Sequence, residues 1–294
     1  MKLIQSLKNK FKDKGQSFAI PVGVVIFTIG FCIMLYPIIG QLINYNNSRE
    51  AIKNFNKEQQ KFTNHEINRR IKLAEAYNSS IRPADIYDPF SETEKREGRK
   101  EYAKMLEVSE KIGHIEIPKI HEKLPIYAGT GENVLQKGVG HLENTSLPIG
   151  GESTHCILSA HRGLPKARLF TDLDKMQNGD VFFITNLEKK MAYKVDKIST
   201  VKPDDFDEMM IKKGKDYVTL LTCTPYMVNS HRLLVRGQRI SLKDAKVRNG
   251  ARFGMNPYIK RLLFLLLVLL IIMLMLWSLK KQLEKKKQEV KMDL

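Results

Sequence analysis

Two long apolar stretches near the ends of the 294-residue chain constrain it more than any other feature. Residues 15–48 carry no charge and 18–43 are largely apolar, while 262–279 are apolar throughout apart from Ser278. A hydrocarbon core is crossed by about 20 helical residues, and both stretches approach or exceed that length. Neither has a polar face to orient it on a soluble core, so the pattern predicts two membrane-spanning helices rather than two buried ones. Lysines precede the first stretch, as in a secretory leader. However, the apolar core of a leader runs to only about 7–15 residues, and no small-x-small cleavage site follows this one. The first stretch reads as an uncleaved anchor, and the residues between the two anchors must fold on one side of the membrane.

Flanking charge predicts which side. Lys2, Lys8, Lys10, Lys12 and Lys14 outweigh Asp13 before the first stretch, and Lys280, Lys281, Lys285, Lys286, Lys287 and Lys291 follow the second. Lysine and arginine stay on the cytoplasmic side. Arg252, Lys260 and Arg261 weaken the contrast at the second stretch without reversing it. The expectation is a two-pass plasma-membrane protein with both termini cytoplasmic and the intervening domain outside. Of the formal charge of +17, residues 1–48 hold five basic against one acidic residue and 256–294 hold eight against three. The rest is spread over the middle of the chain without the aromatic-basic interleaving of a nucleic-acid reader, so nucleic acid is not an expected partner. The lipid bilayer is, with anionic headgroups facing the tails.

Residues 49–77 are rich in Glu, Lys, Gln and Ala, with Ile52, Phe55, Ile67, Ile71 and Leu73 apolar among them. They read as one or two helices, either a solvated spacer or an arm packed on the domain. In SSIRPADIYDPFSETEK the proline and short polar residues favour an exposed loop. Beyond it the pattern changes to short alternating runs at 112–117, 125–128, 155–161, 181–186, 191–201, 217–222 and 232–240. Bounded by Gly, Pro and Asn, these predict a mainly β domain, barrel or sandwich, with short helices at 168–176 and 204–210. The expected organisation is a cytoplasmic tail (1–17), a span (18–43), a helical arm and loop (44–110), a β domain (111–250), a second span (262–279) and a basic tail (280–294).

The segment TLLTCTPYMVNSHRLLVRG, residues 219–237, places Cys223 nine residues before Arg232 across a strand, a loop and a strand. A thiol attacks an amide only as thiolate, and an ordinary cysteine is mostly protonated at neutral pH, so a partner must accept its proton. Histidine titrates near that pH and suits the task. His161 ends one predicted strand and Cys223 follows another, which allows both to face one rim; His231 is the alternative, but its side chain alternates away from that of Arg232. Attack on a carbonyl creates an oxyanion, for which arginine offers a permanently charged fork of N–H donors. Arg232 is the first candidate and Arg236, four residues further on the same face, the second. Cys32 lies in the first span. Cys156 reads as a small buried apolar residue, its odd offset from His161 pointing the two side chains to opposite faces. A disulfide to Cys223 would silence the nucleophile, so two free thiols are expected. His155 and His161, six apart, have no further ligand spacing, so neither a metal nor a cofactor is expected.

Over roughly residues 113–240, including GHIEIPKI, PIYAGTGENVLQKGVGHLENTSLPIGG and SAHRGLP, the sequence resembles the sortases, cysteine transpeptidases of Gram-positive bacteria, and within them class C, the pilus-associated type. The resemblance implies an eight-stranded β-barrel. It implies cleavage after the threonine of an LPXTG-like sorting signal, a thioester on Cys223, proton transfer by His161, and oxyanion and substrate positioning by Arg232. Ser159, Thr222 and Asn229 are expected to line the substrate pocket. Asp88-Pro89-Phe90 matches the Asp-Pro-aromatic lid of the pilus type, with Asp88 expected to pair with Arg232 and Phe90 to cover Cys223. Met227 departs from the pattern, standing where many relatives have glycine. The implied partners are pilin subunits, joined through a lysine amine. A cysteine protease using water and a non-catalytic pilin-binding scaffold are the competing readings, the second disfavoured by the intact Cys223, His161 and Arg232 set.

Overall fold

Eight strands close into a barrel in the order β1-β2-β3-β4-β7-β8-β6-β5. They are β1 (Lys111–Ile117), β2 (Glu122–Ala128), β3 (Val139–His141), β4 (Thr154–Ser159), β5 (Val181–Thr185), β6 (Lys190–Val201), β7 (Asp216–Thr224) and β8 (His231–Ile240). The computed structural model describes residues 2–81, 104–248 and 257–292. Antiparallel pairing of β1 with β5 closes the ring, and β4 runs parallel to β7. A parallel pair cannot be joined by a hairpin, and β5 and β6 lie within the connection between these two strands.

Alternation along the strands decides which residues fill the barrel. Val218 and Leu220 of β7 point inward with Cys156 and Leu158 of β4 and Leu233 and Val235 of β8. Phe182 and Tyr193 join them, their rings stacked at 5.7 Å. A Cβ on Gly237 would lie 2.6 Å from the Phe182 ring, so the stack requires glycine there. The opposite face is also buried. Leu221, Ile157 and Leu234 point outward under Leu142, Val201 and Met209, which form a second cluster. Burial on both faces explains why Leu220 and Leu221 stand next to each other in β7, one on each side of the sheet.

All seven expected strands are present. The eighth, β3, has three residues, too few to show an alternation. The helices expected at 168–176 and 204–210 are single 3-10 turns, at Leu173–Lys175 and Asp207–Met209.

The expected first span and the start of the expected arm form one helix, α1 (Lys2–Gln59), of 58 residues. At about 1.5 Å per residue it is far longer than a bilayer core is thick. The helix-forming Arg49–Gln59 segment simply continues it. After a break, Thr63 caps α2 (Asn64–Ser80), its hydroxyl accepting from the Glu66 amide at 3.2 Å. The arm is packed on the barrel rather than held off it. Ile52, Phe55, Ile71 and Ala74 are buried, Phe55 lies with Val108 and Leu187, and Gln59 Nε2 donates to the Leu187 carbonyl at 2.6 Å. The short α3 (Glu132–Leu135) precedes β3, and α4 (Leu242–Arg248) covers Val181, Phe183 and Ala192 through Ala245. α5 (Pro257–Met292) follows. Parts of α1 and α5 are long and apolar enough to cross a membrane.

Candidate active site

Cys223 near the end of β7 and Arg232 near the start of β8 are direct cross-strand partners. On the other side of β7, β4 pairs in parallel with Ser159 opposite Leu221, and the Ala160 amide extends that ladder by donating to the Leu221 carbonyl at 3.2 Å. His161 follows two residues after the last paired residue of β4, at the end of the barrel where β7 carries Cys223. Side chains level across adjacent strands share a face, so Cys223 and Arg232 stand on the same outer face at one rim of the barrel, the rim at which β4 ends and His161 follows. Cys223 is 7% and Arg232 6% exposed, whereas the His161 side chain retains 21%. A shielded thiol thus sits on the strand position paired with an arginine, with a more exposed histidine at the same end of the barrel.

The surroundings hold each group. Thr222 donates from its hydroxyl to the Ala160 carbonyl at 2.7 Å, clamping the end of β4 to β7. Arg162, the next residue after His161, donates to Thr224 Oγ1 at 3.0 Å and to the Thr171 carbonyl at 3.2 Å, and pairs with Asp174 at 2.8 Å. His161 Nε2 lies 3.3 Å from Glu132 Oε2 on α3, a carboxylate partner that orients the ring. Arg232 Nη1 donates to the Asn229 carbonyl at 3.0 Å and to that of His231 at 3.2 Å, which fixes the plane of its fork. Asn229 has φ +59, a left-handed conformation that asparagine tolerates better than most residues.

A sortase domain model matches residues 115–240. Sortase C-1 of Streptococcus pneumoniae is 54% identical in sequence, with a TM-score of 0.64 over 65% of this chain and 98% of that one. The structure described as pilus-related sortase C of Group B Streptococcus is 54% identical, with a TM-score of 0.63 over 65% of this chain and 97% of that one. The chain belongs to the sortase family, and within it to class C. Among curated sequences, sortase D of Bacillus subtilis is 30% identical over 138 residues, 46% of this chain and 67% of that protein. Sortase A of Bacillus anthracis is 30% identical over 141 residues, 48% and 65% of the respective lengths.

The remaining expected residues fall into place around the sortase site unevenly. Ser159 is the last residue of β4, two before His161, and is fully buried with no partner for its Oγ among the described residues. Thr222 points to the opposite face from Cys223 and is spent on the Ala160 carbonyl, so its side chain supports the site rather than lining it. Asn229 contributes its main-chain carbonyl. Arg236 is committed elsewhere. It makes a bidentate pair with Asp196 at 3.0 and 2.9 Å and lies 4.4 Å over the Tyr217 ring. Cys156 is inside the barrel, and burial, with Asp216 nearby, pushes its thiol well above the usual range. His155 has both ring nitrogens engaged, with the Met210 carbonyl at 3.0 Å and Thr219 Oγ1 at 2.8 Å, and burial pushes it down to about 4. Met227 has φ +66, the region that favours glycine, which is a physical reason for glycine at this position in relatives. Asp88, Pro89 and Phe90 lie outside the described residues. Glu132 and Arg162 were not anticipated: Glu132 is 29 residues from His161 in sequence, and only the fold brings them together.

Proposed function

We propose that the protein is a membrane-anchored transpeptidase that cleaves LPXTG-like sorting signals on pilin subunits and joins the new carboxyl to a lysine amine of another subunit. The observation that supports this reading is the cross-strand pairing of Cys223 with Arg232 at the end of the barrel where His161 follows β4. The Cys223 thiolate adds to the threonine carbonyl carbon while the Arg232 fork donates to the developing oxyanion. The bond to glycine breaks as His161 gives its proton to the leaving amine, and the acyl group remains as a thioester. A lysine amine then adds to the same carbon, His161 takes its proton, and the thiolate leaves. Glu132 at Nε2 keeps the imidazole turned for both transfers.

The pilin assignment is supported by the pilus-related description of a relative 54% identical to this chain. The proposed topology keeps both lysine-rich tails in the cytoplasm and the barrel outside. Water could take the place of the amine in the same site, and one experiment separates the two. The enzyme is mixed with a sorting-signal peptide, with and without a pilin acceptor domain. A new isopeptide product that displaces hydrolysis is expected, and hydrolysis at the same rate with no conjugate would favour a protease.

A further inference from the structure

The loop that follows His161 is tied to the second apolar helix by a chain of buried polar contacts. Tyr258, in the first turn of α5, donates from its hydroxyl to Glu122 Oε1 at 2.8 Å, across 136 residues of sequence. Glu122 opens β2, is 5% exposed, and lies 3.8 Å from Arg168 Nε. Arg168, itself 7% exposed, also pairs with Asp172. Arg168 belongs to the His161 loop. The Phe170 amide donates to the His161 carbonyl at 3.2 Å, the Thr171 amide to that of Arg168 at 2.7 Å, and Arg162 carries the connection to Thr224, beside Cys223.

Two further features mark this as an arrangement built for position. Leu169, between Arg168 and Phe170, is buried at φ +44, a conformation a leucine keeps only where its surroundings over-determine it. A buried ion pair also returns little net stability for its desolvation cost, and an apolar pair would hold the barrel as well. A parallel set of contacts reaches the same loop through the first helix: Arg261 Nη1 donates to Gln41 Oε1 at 3.4 Å, and Gln41 Nε2 donates to the Pro165 carbonyl at 3.2 Å. The rings of Tyr45 and Tyr258 meet at 5.2 Å.

We propose that Tyr258, Glu122 and Arg168 are positioning residues through which α5 sets the His161 loop against Cys223, so that the second apolar helix is part of the catalytic apparatus as well as an anchor. The proposal rests on the reading of His161 and Cys223 as the reacting pair. Its test uses the full chain in lipid nanodiscs, comparing wild type with Tyr258→Phe, Glu122→Gln and the double variant at a temperature where all are folded. The readouts are the single-turnover rate of thioester formation on Cys223, the KM for a sorting-signal peptide, and the melting temperature. Acylation is expected to slow by about tenfold in each single variant, a fraction of the ~100-fold that a 1 Å misplacement of reacting groups costs. KM should stay within about twofold, and the double variant should be no slower than either single one, since residues acting as one unit do not add. A wild-type acylation rate in Tyr258→Phe, or losses that multiply in the double variant, would overturn the proposal. Tyr258→Phe alone decides it should Glu122→Gln fail to fold. A wild-type enzyme that never acylates Cys223 would instead refute the catalytic reading itself.

Discussion

Arg232 and Arg236 show how neighbours decide what a residue does. Both lie on the same face of β8, but Arg232 is the cross-strand partner of Cys223 while Arg236 is locked to Asp196 and stacked on Tyr217. Sequence alone ranked the two without separating them, because the carboxylate that claims Arg236 sits 40 residues away on β6. Arg232→Lys keeps the charge and loses the fork. Acylation is expected to fall about 10²- to 10³-fold with little change in melting temperature, the usual cost of losing an oxyanion donor. Arg236→Lys should do the reverse, lowering stability by about 1–3 kcal/mol through the broken charge-assisted pair with acylation nearly intact. Stopped-flow acylation and urea denaturation check both, and an Arg236→Lys enzyme that is stable but inactive would reverse the assignment.

At the scale of elements, the strands long enough to alternate were legible, and β3, at three residues, was not. Whether the arm packs or floats was not legible either, because Ile52 and Phe55 occupy one helical face in both cases and only contact with Val108 and Leu187 distinguishes them. The barrel's burial also has a measurable consequence. Desolvation pushes His114, His141 and His155 down to about 4 and Glu122 up to about 7. In the unfolded chain the histidines bind protons as pH falls through about 6.5, while the folded ones remain neutral until about 4, so their contribution is full above that range and is lost on acidification. Glu122 has the opposite sign: it favours the fold at low pH and loses that contribution as pH rises through about 7, offsetting one histidine of the three. Stability should therefore fall by about 2 kcal/mol per pH unit near pH 5.5. Urea midpoints that do not change across that interval would contradict the burial of these histidines. The Asp88-Pro89-Phe90 lid, proposed from the family pattern, is tested by the Asp88→Ala, Phe90→Ala double variant. Removing contacts worth about 1–2 kcal/mol should raise the alkylation rate of Cys223 roughly five- to thirtyfold in a Cys156→Ala background. An unchanged rate would leave the tripeptide as an ordinary loop.

For the whole molecule, the order of segments was readable because the two apolar runs and the alternating pattern between them differ in kind. His161, Cys223 and Arg232 were readable as a candidate set through the resemblance, while the pairing of Cys223 with Arg232 depends on the register of β7 and β8. Protease added to intact protoplasts should remove the barrel and spare epitope tags at both termini. A digested C-terminal tag would mean that α5 does not return to the cytoplasm. The central claim is that the chemistry passes through a thioester on Cys223, and intact-protein mass spectrometry after brief mixing with a sorting-signal peptide tests it most directly. The account predicts an acyl adduct on wild type and on Cys156→Ala, reversed by hydroxylamine, and none on Cys223→Ala; an adduct or transfer product formed by Cys223→Ala would contradict it.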